Sequence, residues 1–124
     1  MEVVMSRIRF HDEENAPWMD VREFDSAIRM HELGDEKSLQ LYEVKMAPHA
    51  VAENHSHVQD EIIYVLSGEM HMGNRIIRAG NSVFITGGSV YGFKTGPDGL
   101  HLLNFRPRND VSHMTYLDDA QKPS

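Results

Sequence analysis

The chain has 124 residues, no cysteine and a formal net charge of -7. That length suits one domain with a single buried core, and the missing thiols exclude disulfides and thiolate metal sites. The acidic balance argues against nucleic acid, whose phosphates require clustered Lys and Arg, and against binding to anionic membranes.

No apolar run approaches the roughly 20 residues needed to span a bilayer. Residues 1–10 lack an uninterrupted apolar block of signal-peptide type, so the cytoplasm is the expected address, and Met5 provides an alternative start. Residues 1–38 read as an irregular N-terminal extension. Within it, a polar segment at 13–20 surrounds Pro17 and Trp18, and 29–33 suits one strand, available for exchange with a second copy.

From residue 39 to 106 the pattern changes to short β-type segments broken by Gly, Pro and Asn, with no sustained helical period. Residues 39–46 carry Leu41, Tyr42, Val44 and Met46 and end before Pro48, which cannot donate to a sheet ladder. The β-branched and aromatic run 61–66 is expected to stop at Ser67-Gly68. Residues 69–72 and 75–79 flank Gly73-Asn74 and predict a hairpin. Gly80-Asn81 turns the chain into 82–85, and Gly87-Gly88 precedes 90–94. Gly96-Pro97-Asp98-Gly99 reads as a turn before a last strand at 100–105. Residues 107–124 form a polar tail, in which 111–117 is either a short helix or an arm on a partner. So many short strands predict an all-β, antiparallel barrel or sandwich, which removes exposed edges.

Chemistry concentrates in His55-Ser56-His57-Val58-Gln59-Asp60-Glu61. Side chains at i and i+2 of an extended segment leave the same face, so both imidazoles can converge on one ion. Glu61 follows His57 after a three-residue gap, enough for the chain to bend and bring a carboxylate to the same place. Two nitrogen donors and one carboxylate suit iron, manganese, zinc, nickel or cobalt better than magnesium or calcium.

These residues resemble the first motif of the cupin superfamily, which joins His-x-His to a Glu and, after six intervening residues, a Gly; His55, His57, Glu61 and Gly68 meet those spacings. His49 stands where that motif opens on glycine. The second motif has Gly80 and Gly88 in register, with Thr86 in place of its proline, Tyr91 in place of its histidine and Thr95 in place of its asparagine. The resemblance implies a small single-domain cupin of the conserved-barrel kind, a double-stranded β-helix or jelly roll, with a metal inside and a homodimeric assembly. It also implies His55, His57 and Glu61 as metal ligands. Tyr91 stands at the fourth ligand position and has three readings: a phenolate ligand, a catalytic proton donor or orienting group, or wall packing.

Without a fourth histidine, two His and a carboxylate match the triad of non-haem Fe(II) oxygenases. The expected function is therefore a metal-dependent enzyme acting on a small organic molecule, with an Fe(II) dioxygenase preferred. The alternatives are a redox-neutral isomerase, decarboxylase or lyase, and a non-catalytic sensing cupin. His49, Glu53 and His101 are candidates for the pocket surroundings. His11, His31, His71 and His113 lack ligand spacing, and Arg75 and Arg78 read as exposed hairpin residues. Met70, Met72, Phe84, Ile85, Phe93 and Phe105 are candidate core, with about half of such barrel residues expected to point inward.

Overall fold

The computed structural model describes residues 8–22, 25–35 and 38–108. The tail segment 111–117, His113 and Met5 lie outside these residues. Among the described residues eight strands follow one another: β1 (Trp18–Val21), β2 (Ser26–Glu32), β3 (Leu39–Met46), β4 (Val51–His55), β5 (Glu61–Met72), β6 (Arg75–Arg78), β7 (Ser82–Ile85) and β8 (Tyr91–Pro107). All pair antiparallel in the order β1-β2-β3-β8-β5-β6, with β4 on β8 and β7 on β5. The sheet folds on itself as the small all-β barrel that the sequence predicts. β2 pairs with β3 of the same chain, so the strand expected at 29–33 is found a few residues earlier.

Two expected turns are bends instead. β5 runs through Ser67-Gly68 with register shifts on either side, and β8 runs through Gly96-Pro97-Asp98-Gly99 as part of one 17-residue strand. The cause is a contact remote in sequence: a Cβ on Gly68, whose φ is 82°, would strike the carbonyl of Gly99. Glycine here lets two long strands cross closely where each changes partner. As a result, the first part of β8 reaches β4 and the last part reaches β3, so one strand lines both halves of the barrel.

Alternation along β5 sends Glu61, Ile63 and Val65 inward and Ile62, Tyr64 and Leu66 outward. The core is Met46, Ala50, Ile63, Val65, Met70, Ile85, Leu100 and Leu102, with Met72 and Phe93 packed against it. Phe84 and Phe105, expected in the core, are 62% and 38% exposed. Their register explains this, since both pair with the outward-facing Ile62, whereas Ile85 pairs with the inward-facing Glu61. Among the described residues no helix is long and apolar enough to cross a membrane.

Candidate functional site

β4 ends at His55, directly opposite Tyr91 at the start of β8, and the two ring centroids are 4.5 Å apart. His55 Nδ1 lies 2.8 Å from the Glu53 carbonyl oxygen. A carbonyl only accepts, so Nδ1 carries the proton and Nε2 is left with its lone pair, the tautomer a metal-binding imidazole needs. His57 follows in the β4–β5 connection, its ring edge-on to His55 at 4.9 Å between centroids. That connection is clamped by Gly88, which is in register with the second motif, and by its neighbour Gly87. Gly88 N donates to the His57 carbonyl at 2.7 Å and Gly87 N to Asp60 Oδ1 at 2.8 Å, and a Cβ on Gly87 would collide with the Val58 carbonyl.

Glu61 opens β5 and is only 2% exposed, so an unpartnered carboxylate there would cost several kcal/mol. It is held at both oxygens: the Tyr91 hydroxyl donates to Oε1 at 2.9 Å and Asn104 Nδ2 to Oε2 at 2.6 Å. Burial first, and the Glu61 charge second, push the Tyr91 phenol well above its usual range, so Tyr91 keeps its proton in this arrangement. His57 Nε2 stands 3.6 Å from Glu61 Oε1. Donors that share a tetrahedral ion through bonds of about 2.1 Å lie about 3.4 Å apart, so this pair is near ligand spacing.

Arg106, near the end of β8, completes the wall. Its Nη1 lies 3.1 Å from both ring nitrogens of His57 and 3.8 Å from Glu61 Oε2, and its guanidinium stands over the Tyr42 ring at 5.3 Å. Tyr42, His55, His57, Tyr91, Asn104 and Arg106 line a cavity of about 220 Å³ together with the apolar Ile28, Val44, Met46, Phe93 and Leu102. A larger, open depression of about 430 Å³ at Arg9, His11 and Glu32 lies apart from them. There the acid and bases already satisfy one another, and the Arg9 hydrogen bond foremost, with His11 helping, holds the Glu32 carboxyl down to about 2.

Among the described residues no group of three or more His, Asp or Glu side chains is gathered closely enough to hold a metal ion as it stands. The donor set nevertheless fits one chemically. His55 presents Nε2, His57 and Glu61 are near ligand spacing, and Glu61 is oriented by two donors. The buried Asn104 Oδ1 accepts no hydrogen bond among the described residues, an acceptor left for a ligand or water.

The sequence profile of the ChrR cupin-like domain matches residues 7–106. The chain is a member of this cupin family. No curated protein matches it by sequence. Solved structures of similar fold include an RmlC-like cupin from Shewanella frigidimarina (20% identity, 82% of this chain and 91% of that chain, TM-score 0.72). The polyketide cyclase RemF from Streptomyces resistomycificus is similar at 22% identity, over 94% of this chain and 92% of that one, with a TM-score of 0.72. KdgF from Halomonas sp. is similar at 24% identity, over 82% and 94%, with a TM-score of 0.69. At these identities the likeness concerns the fold.

Of the neighbours expected around this cupin cavity, only Glu53 lines it. His49 is exposed in the β3–β4 turn with φ of 57°. His101 faces the outer side of the sheet, because Leu102 and Asn104 take the inward positions of β8. There it meets Glu43, whose other oxygen is 2.7 Å from His31 Nε2. His71 pairs with Glu69 at 2.8 Å, so His11, His31 and His71, the described histidines without ligand spacing, serve as partners for glutamates. Asn104 and Arg106 were not singled out by sequence. The signal was the alternation Leu100, Leu102, Asn104, Arg106, which keeps polar residues in phase with the buried leucines.

Proposed function

We propose that the chain is a metal-dependent cupin enzyme acting on a small organic molecule, with His55, His57 and Glu61 as ligands of one divalent transition metal. Iron is preferred, with manganese, zinc, nickel and cobalt as alternatives, because two imidazoles and a carboxylate form a triad with open positions. The observation that carries the reading is the His55 hydrogen bond to the Glu53 carbonyl, which reserves Nε2 for a ligand. The likeness in fold to a polyketide cyclase supports chemistry on organic molecules as a use of this barrel.

In this reading the metal supplies Lewis acidity and, as iron, access to dioxygen. The chain's own residues do the rest. Tyr91 and Asn104 hold the Glu61 carboxylate in one orientation, and the protonated Tyr91 stands next to the cavity as a proton donor or orienting group. The apolar wall excludes water from the substrate's body. An iron-loaded sample should consume oxygen with substrates from a panel of catechols, diketones and thiols. Conversion without uptake selects the redox-neutral isomerase, decarboxylase or lyase, and ligand binding without conversion selects the sensor.

The reading includes a cytoplasmic address, consistent with a chain that has no cysteine, and a homodimer. Ile62, Phe84 and Phe105 are exposed apolar residues in adjacent register across β7, β5 and β8, a continuous row suited to a second copy. For the metal, His55→Ala and His57→Ala should each lose most bound metal by elemental mass spectrometry while circular dichroism shows the barrel intact. Full occupancy in both variants removes the site.

A further inference from the structure

The geometry points to an elongated ligand, about two fused rings long, with one polar group at the His55 and Tyr91 end of the cavity and a second on Ser26. The inference deepens the reading of the cavity as the substrate site and rests on it.

Strand register lays out the cavity wall as rungs. Tyr42 of β3 pairs with Asn104 of β8, Val44 pairs with Leu102 and with Ile28 of β2, and Met46 pairs with Ser26. All of these residues line the cavity. Ser26 and Met46 are set off from the Tyr42 and Asn104 rung by four residues of strand at about 3.3 Å each, or about 13 Å. The wall made by β4 and the start of β8 grades in the same way, with His55 opposite Tyr91 and Ala52 opposite Phe93. Tyr91 and Asn104 meet on one carboxylate, that of Glu61, so the polar rungs of the two walls belong to one end. Val44, Ala52 and Phe93 pack against a common core, so the apolar rungs adjoin each other as well.

That gradient describes the ligand. Ile28, Val44 and Leu102 present no hydrogen-bonding side chain, so the middle of the cavity suits an apolar body. Beyond them the wall turns polar again at Ser26, which is half-buried and whose hydroxyl makes no hydrogen bond among the described residues. Ser26 also borders the open depression at Asp20, Asp25 and Lys45, so its hydroxyl stands at the rim, where a ligand group would replace water. A single ring held at the polar end would stop at the Ile28 and Val44 rung, whereas two fused rings reach Ser26. The volume of about 220 Å³ sets the upper bound, since it falls below the roughly 300–1,000 Å³ of sites for drug-sized ligands.

Phenol, 2-naphthol and 2,6-dihydroxynaphthalene form the test series. Each is titrated by anaerobic calorimetry into the full chain after chelator treatment and again after iron or cobalt loading, with metal content recorded for every sample. The parent should bind 2-naphthol about tenfold or more tightly than phenol. In Ile28→Phe, which fills the middle rung, that ratio should fall to about two or less while phenol binding is unchanged; Val44→Phe takes its place should the first variant fail to fold. The diol should bind the parent about fivefold or more tightly than 2-naphthol, beyond the factor of about two from its equivalent ends, as a hydrogen bond to Ser26 would give. Ser26→Ala should return that ratio to about two. Absence of binding by all three compounds overturns the inference, as does equal binding of phenol and 2-naphthol or a length preference that survives the filled rung. A diol ratio of about two in the parent, or one unchanged in Ser26→Ala, overturns it too, leaving a serine that meets water only. Absence of metal from loaded samples counts against the metal centre alone, because the binding ratios are read in the same samples.

Discussion

Replacing Tyr91 with Phe removes one oxygen and nothing else, which isolates the contact that holds Glu61 in place. The hydroxyl donates to Glu61 Oε1 at 2.9 Å, and the carboxylate is 2% exposed, so water cannot readily substitute. A hydrogen bond to a charged group is worth about 1.5–3 kcal/mol. The ring that packs on His55 is retained, so no cavity is created. For a domain of this size each kcal/mol shifts Tm by about 3–5 °C, which gives a fall of roughly 5–15 °C. Thermal and urea denaturation of chelator-treated protein measure it. Repeated after loading with Fe(II) or Co(II), the gap should shrink, because Glu61 then has a second charged partner. A chelator-treated variant that melts within about 2 °C of the parent would refute the claim that Tyr91 steadies this carboxylate.

Glu43→Gln tests the outer face. Burial alone would raise the Glu43 carboxyl, but the hydrogen bonds from His31 and His101 outweigh it, so its folded value lies below the ordinary 4.5. The contribution is complete above about pH 4.5 and is lost as pH falls through the lowered value. The stability gap between parent and variant should therefore narrow below about pH 4.5 in melts taken down to about pH 3, and a gap constant over that range contradicts the assignment. Phe84→Glu puts a charge on the exposed apolar row without touching the core. Sedimentation equilibrium should give the parent twice the 14.2 kDa of one chain and the variant a single chain, and an unchanged dimer would exclude this face.

Local pattern was enough for much of the fold. Residues 39–46 became β3 with the expected bounds, and the Gly73-Asn74 hairpin joins β5 to β6 as read. What misled was glycine. Gly68 and Gly96 to Gly99 carry the same chemistry whether the chain reverses or merely bends, and only the packing of Gly68 on Gly99, on the paired strands β5 and β8, decides between them. The His55, His57 and Glu61 spacing was legible because three donors lie within one short segment. Asn104 and Arg106 reach the same cavity from a strand far along the chain, and their direction depends on the register of β8 against β3 and β5. The His31, Glu43 and His101 cluster spans sequence separations of 12 and 58, so it too follows only from strand pairing.

X-ray absorption spectroscopy of the iron-loaded or cobalt-loaded protein examines the metal centre itself. The account predicts a first shell of oxygen and nitrogen near about 2.0–2.2 Å with the outer scattering of two imidazoles, falling to one in His55→Ala. A spectrum with no imidazole scattering, or one identical in the parent and His55→Ala, would contradict it.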